Sequence, residues 1–198
     1  MSIDRRAFIS MTAGAMIAMT EAASQPANPA FALPPPPPGN PGDFDFLTGE
    51  WRIHNRFFEN GNWIEFPGEA TVMPVMGGVG SVEDLRIPAR NFFGLGLRLL
   101  DVERRIWSDH FINKRSGVVA VPGQTGGFVN GVGTFLSEDR DGETVIWYRG
   151  VWDRITPTSC RWFQGASRDG GQSWDDSWFM DWTRVGEASG VALPNNAC

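Results

Sequence analysis

From Gly49 to Val185, apolar residues either alternate with polar ones or cluster in short runs, and no stretch keeps a helical period for twelve residues. Gly, Pro and Asp-Gly break these runs, which is the pattern of an all-β chain. The alternation predicts strands near Glu50 to Phe58, Trp63 to Met73, Ser81 to Ile87, Gly94 to Asp101 and Ile106 to Asn113. It predicts further strands near Gly126 to Asn130, Gly133 to Ser137, Thr144 to Asp153, Cys160 to Ser167 and Trp174 to Val185. Short turns such as Glu59-Asn60-Gly61-Asn62 and Arg140-Asp141-Gly142 join them, so neighbours in sequence pair as antiparallel hairpins. Closing such a sheet removes its exposed edges. The expected fold is therefore a single antiparallel up-and-down β-barrel of about ten strands, with a β-sandwich as the alternative. A barrel of that size has room for one small ligand.

The residues before this region follow other rules. Arg5 and Arg6 precede an apolar run from Ala7 to Met19 that is too short to span a bilayer, and Ala30-Phe31-Ala32 has the form of a signal-peptidase site. Asp4-Arg5-Arg6-Ala7-Phe8-Ile9 resembles the twin-arginine export consensus, an Arg pair followed one residue later by Phe and an aliphatic residue. Residues 1–32 are thus expected to be a twin-arginine signal peptide handled by the twin-arginine export machinery. The protein would be periplasmic or secreted, with no membrane span in the mature chain; an uncleaved anchor is the alternative. Residues 33–42, with five consecutive prolines, are expected to form a stiff linker. The barrel domain is placed at 43–186 and a flexible C-terminal tail at 187–198. The formal charge is -6, and the signal carries Arg5 and Arg6 but also Asp4 and Glu21, so its removal leaves the balance unchanged. Such a chain has no electrostatic footprint for nucleic acid or anionic lipid.

All nine Trp lie beyond Ala32, where rings of that size need a core, a cavity wall or an interface to cover them. Gly49-Glu50-Trp51 resembles the Gly-x-Trp signature of lipocalins and other calycins, and Thr183-Arg184 closes the last predicted strand. The resemblance implies that Trp51 plugs the barrel floor under a covering Arg184, a cation–π closure. The run from Phe44 to His54, taken with the ending Trp174 to Arg184, is similar to bacterial lipocalin-like proteins of unassigned function. That likeness implies a calycin barrel and no particular reaction. Ser167-Arg168-Asp169-Gly170-Gly171-Gln172-Ser173-Trp174 matches the Asp-box S-x-D-x-G-x-[ST]-W of sialidases, where it is a scaffold turn remote from catalysis. Ser167, Asp169, Gly171 and Trp174 are therefore expected to build a hairpin turn.

Only His54 and His110 titrate near neutrality without strong perturbation. If Trp51 points inward, parity sends Ile53, Asn55 and Phe57 inward and leaves His54 on the surface. On the fifth strand Trp107, Asp109 and Phe111 share one face, Ser108, His110 and Ile112 the other, and either face is open to line a cavity. Charged or hydrogen-bonding residues interrupt apolar strands at Glu69, Glu83, Arg98, Tyr148, Arg149, Gln164 and Asp181, which normally marks a solvent face. Arg98 is the exception to test, since an inward Arg98 needs an acidic partner or an anionic ligand. The catalytic candidates are His110 and Tyr148; the ligand-binding candidates are Asn55, Arg98, Trp107, Trp147, Gln164 and Trp178.

No metal or cofactor is expected. Neither His sits in an H-x-H or H-x-x-x-H spacing, and no nucleophile elbow, P-loop, Rossmann fingerprint or C-x-x-C pair is present. Nitrobindin-like calycins use a His late in the chain as haem ligand, and nothing after His110 can serve. Glu138 to Glu143 lacks EF-hand spacing and reads as a solvated hairpin turn. Cys160 and Cys198 are the only pair available for a disulfide. Three functions fit these features. The first is an exported protein that binds a small apolar or aromatic molecule in the barrel. The second is a cofactor-free isomerase, cyclase or lyase using the same cavity, and the third is a structural or envelope-interaction module.

Overall fold

The computed structural model describes residues 32–187. The expected signal up to Phe31, the tail beyond Glu187 and Cys198 lie outside the described residues. Ten strands follow in order: β1 (Gly49–Glu59), β2 (Asn62–Val75), β3 (Gly80–Ile87), β4 (Phe92–Asp101), β5 (Ile106–Asn113), β6 (Gln124–Val129), β7 (Val132–Asp141), β8 (Thr144–Asp153), β9 (Ser159–Ser167) and β10 (Asp175–Gly186). Each strand pairs antiparallel with the next, and β10 returns to pair with β1, so the sheet closes on itself. The fold is the all-β up-and-down barrel expected from the alternation, and not a sandwich. The largest boundary difference is at β7, which runs to Asp141 rather than Ser137. Its last residues are charged and solvated, yet they keep pairing with β8 out to Asp141 opposite Thr144. Paired backbone extends there beyond any buried face the sequence displays.

The meander gives the barrel two unlike ends. At one end, the floor, β1 begins and β10 finishes; at the other, the mouth, lie the β1–β2, β3–β4, β5–β6, β7–β8 and β9–β10 connections. The floor is built from the residues just before β1. Asp45–Leu47 forms a short 3-10 turn that buries Leu47, and the Trp51 indole N–H donates to the Leu47 carbonyl at 2.8 Å. The Arg184 guanidinium lies 4.3 Å from the Trp51 ring centroid and donates to the carbonyls of Phe46, Thr48 and Pro157. One cation thus satisfies carbonyls at the end of the turn, where no helical partner exists, and covers an aromatic face as well.

The proline-rich segment also belongs to the floor. Gly39 is buried, its N–H donates to the Arg105 carbonyl at 2.7 Å, and Arg105 returns hydrogen bonds to the Gly39 carbonyl and the Asn40 side chain. Pro37 packs against Gly127 of β6. The segment 33–42, expected to stand off as a spacer, is at its C-terminal half docked on the β4–β5 turn. Proline lacks an N–H, so this stretch needs few backbone partners and lies easily over a barrel end.

At the mouth, residues 168–174 form the turn that the Asp-box motif predicts. The Asp169 carboxylate accepts hydrogen bonds from the Ser173 N–H (2.9 Å), the Ser173 hydroxyl (2.5 Å) and the Ser167 hydroxyl (2.7 Å). Gly171 takes a φ of +85°, which glycine adopts without a Cβ penalty, and Trp147 packs beneath it. The Ser173 and Ser167 hydrogen bonds favour the ionised carboxylate and hold the Asp169 pKa down, to about 2. This lowered value fixes the sign of its pH dependence. The stabilisation of the turn is complete above the ordinary carboxylate value near 4 and is lost as pH falls through about 2. An NMR titration of the Asp169 carboxyl carbon is expected to show a midpoint near 2; a midpoint near 4 would contradict the turn as described.

Candidate functional site

The inward faces of the ten strands divide into a filled half and an open half. Trp51, Trp107, Trp152 and Trp182 are essentially without solvent exposure and pack with Phe44 and Phe135 above the floor. A second cluster joins Phe57, Phe92 and Trp178 along the β1, β4 and β10 walls, the rings meeting edge to face at 5.7 and 5.9 Å. Gly94 lets the Phe111 ring lie where a Cβ would stand, so that Phe111 stacks flat on Phe92 at 5.7 Å. Offset and edge-on ring contacts of this kind add to the area they bury.

A buried ionic group lies between the two halves. Arg98 and Glu83 both have 0% side-chain exposure; Arg98 Nη2 donates to Glu83, and its Nε lies 3.7 Å from an Asp109 carboxylate oxygen. Phe44 and Trp152 each present a ring 5.2 Å from the guanidinium carbon. Burial opposes the charge on Arg98, but Glu83 and Asp109 outweigh it, and its pKa stands above the ordinary value. Cys160 is buried nearby as a free thiol, and burial pushes its pKa up to about 12. It is therefore an inert packing residue at neutral pH.

Above this group the barrel is open, with a cavity of about 460 Å³. Asp109, Phe111 and Asn113 line it from β5, Gln124 from β6, Ser137 and Asp139 from β7, Tyr148 from β8, and Trp162 and Gln164 from β9. Room exists because β5 and β6 pair only from Trp107 opposite Gly126 to Asp109 opposite Gln124. Beyond Asp109, β5 runs on without β6, and the ten-residue connection 114–123 arches beside the gap. Val118 and Val121 on that loop are 67% and 72% exposed, so an apolar rim borders the opening. The Gln164 side chain is buried in the cavity wall, and its Nε2 has no hydrogen-bond partner among the described residues. Burial raises the Tyr148 pKa, and Asp139 and Asp141 raise it further, so its hydroxyl stays protonated at neutral pH.

His110 points to the outer face of β5, beside the gap. Its Nδ1 donates to the Ala120 carbonyl at 3.1 Å, and its Nε2 lies 3.2 Å from the Ser108 hydroxyl. The imidazole therefore tethers the 114–123 loop, and among the described residues no carboxylate is hydrogen-bonded to it. His54 is exposed and pairs with Glu65 at 3.1 Å, as strand parity requires.

Of the residues singled out from sequence, His110, Tyr148 and Gln164 come together at the cavity. Five ligand-binding candidates do not line it. Asn55 and Trp178 are fully buried, the indole N–H donating to Asn55 Oδ1 at 2.9 Å, while Asn55 Nδ2 has no hydrogen-bond partner among the described residues. Arg98 is inward, but its acidic partner is Glu83 and it lies beneath the cavity. Trp107 belongs to the floor and donates to Asp43 at 3.0 Å. Trp147 faces outward under the Asp-box turn. Glu83, Arg98, Tyr148 and Gln164 interrupt apolar strands from the inside, whereas Glu69 and Asp181 face outward and Arg149 pairs with Asp176 at 2.8 Å. Sequence reasoning passed over Asn113, Gln124, Ser137, Asp139 and Trp162. Two signals pointed at them: the length of the 114–123 connection in a meander of short turns, and the parity that places Asp109, Phe111 and Asn113 on the face of buried Trp107.

No protein-family model matches the chain, and no curated protein matches it. Among solved structures, it is similar to the crystal structure of a protein of unknown function from the DUF3598 family of Nostoc punctiforme, with 10% identity and a TM-score of 0.42. That match covers 75% of this chain and 50% of the other, so the chain spans about half the length of the structure it matches.

Removing one member of the buried ionic group leaves a charge without its partner. Arg98→Met is expected to cost about 3–5 kcal/mol in urea unfolding, and Arg98→Met with Glu83→Leu less than the sum of the single changes. Additive losses would show that the two side chains act independently.

Proposed function

We propose that this chain is an exported binding protein that holds a small aromatic or apolar molecule in the mouth half of its barrel. The observation that carries this reading is the open cavity that aromatic and polar side chains line together where β5 and β6 stop pairing. The aromatic walls from Phe111, Tyr148 and Trp162 supply area for an apolar body, and about 460 Å³ suits one small ligand. The floor half holds packed side chains, so a ligand lies against the Asp109 level and no deeper.

Trp162 in the wall makes intrinsic fluorescence the readout. Titration with a panel of aromatic and lipophilic metabolites is expected to give saturable quenching by at least one compound. Ser137→Phe, which places a ring in the open half, is expected to abolish that quenching while leaving thermal unfolding within a few degrees of the parent. Quenching that survives Ser137→Phe would put the ligand elsewhere.

The export half of the proposal rests on Arg5-Arg6 and the Ala30-Phe31-Ala32 site. Twin-arginine export carries folded proteins, which suits a barrel closed by pairing its first strand with its last. Replacing Arg5 and Arg6 with Lys is expected to leave the full-length chain in the cytoplasm of a twin-arginine-competent host. Continued appearance of the processed form outside the cytoplasm would refute that route.

A further inference from the structure

We infer that the outer wall of the barrel binds an extended, uncharged polysaccharide along a strip of aromatic rings and arginines. The strip crosses the outward faces of β2, β1, β10, β9 and β8, and it does not rest on the cavity. Strand parity turns Phe58, Trp63, Phe163 and Phe179 outward, and strand pairing sets them side by side: Phe58 opposes Trp63, and Phe179 opposes Arg56 on one side and Phe163 on the other. Ring centroids follow one another at 5.3 Å from Phe58 to Trp63, 5.6 Å from Trp63 to Phe179 and 5.5 Å from Phe179 to Phe163. Trp63 is 48% exposed and Phe58 36%. A contiguous exposed row of large rings marks an interaction surface, where scattered single residues would not.

Guanidinium groups stand between the rings. Arg56 lies 5.7 Å from the Trp63 centroid and 5.1 Å from that of Phe179, and Arg161 lies 5.0 Å from Phe163 and 5.8 Å from Phe179. Arg149 carries the row on, 5.3 Å from Phe163 and 4.4 Å from Trp174 of the Asp-box turn. Each of these arginines has a carboxylate beside it. Asp176 holds Arg149 and Asp153 holds Arg161 through hydrogen bonds of 2.6 to 3.2 Å, and Glu65, bonded to His54, stands opposite Arg56 in the β1–β2 register. Gly165 is part of this arrangement, since a Cβ there would stand 2.2 Å from an Asp176 oxygen. The strip is therefore rich in charges yet balanced in sign.

That balance selects the occupant. A polyanion or a polycation meets no net field to steer it, and a wholly apolar partner would have to desolvate the Arg149 and Arg161 ion pairs. A sugar ring avoids both costs. Its C–H face lies on an aromatic ring, while the hydroxyls on its rim donate to the carboxylates and accept from guanidinium N–H groups, of which each arginine has five. Successive rings are tilted by 56°, 48° and 22°, so the strip bends with the barrel wall and suits a single pliable chain rather than a flat crystalline face.

Retardation of the full chain in native gels cast with soluble polysaccharide tests this. The probes are the neutral hydroxyethylcellulose, glucomannan and galactomannan, the anionic alginate and the cationic glycol chitosan. At least one neutral chain is expected to retard the protein, and to do so more than either charged one. Trp63→Thr should weaken that binding about fivefold or more, the worth of one aromatic contact. Arg56→Gln, which leaves every ring in place, should weaken it as well. Both side chains are exposed, so thermal unfolding should stay within a few degrees of the parent, and Arg56→Gln alone decides if Trp63→Thr does not fold. Ser137→Phe in the cavity should leave retardation unchanged, which separates this surface from the cavity. Retardation by no neutral chain, preference for a charged one, indifference to either strip substitution, or loss in Ser137→Phe overturns the inference. So does a parent that sediments as a dimer and a Trp63→Thr variant that sediments as a monomer, since the strip would then belong to a second copy of the chain.

Discussion

A guanidinium with no solvent exposure sits in the middle of this barrel, and much of the interior follows from keeping it there. The bare cost of burying that charge exceeds what any single hydrogen bond returns, so Arg98 requires Glu83 beside it on the neighbouring strand, equally buried. Gly96 on β4 leaves room for the Glu83 side chain, and the Phe44 and Trp152 rings cover the cation's faces. Each of these residues is a condition on a different element: β3, β4, β8 and the segment before β1. The ionic group thereby ties the lining of the barrel to the plug that closes its floor.

The plug and the ionic group together decide where the barrel is full. Below Arg98, Trp51, Trp107, Trp152 and Trp182 pack with Phe44 and Phe135, and Arg184 seals the end by bonding three carbonyls over the Trp51 ring. Above it the lining changes to Asp109, Asn113, Gln124, Ser137 and Gln164, side chains too short or too polar to fill the space between them. Early separation of β5 from β6 widens the same region. The mouth half is itself divided: Phe57, Phe92 and Trp178 fill its β1, β4 and β10 side, and the open space lies on the side of β5 to β9.

Much of this was legible in the sequence, for a definite reason. Period two is enforced wherever one strand face is buried, so the strands and their order were readable, as was the exposure of His54 opposite inward Trp51, Ile53 and Asn55. The Asp-box turn was readable because its residues bond one another within seven positions. Long-range pairing was not. Glu83 looks like a solvent-face interruption, and the acidic partner an inward Arg98 needs stays unnamed, until β3 and β4 lie side by side; Trp147 looks like a cavity wall until the Asp-box turn folds over it. Asn55 and Trp178, 123 positions apart, form their hydrogen bond only across the β1–β10 seam that closes the barrel. The cavity itself lies where strand pairing stops, and hydrophobic period carries no signal for that.

The direction of the mouth follows from the floor. The described chain enters past Pro37 on Gly127 and Gly39 on Arg105, at the floor end, so the proline-rich segment is clamped before β1 begins. The cavity opens at the opposite end. Among the described residues, the 114–123 loop borders that opening, held beside the gap by the His110 bond to Ala120. Among the cavity-lining residues His110 thus joins β5 to the loop that borders the opening.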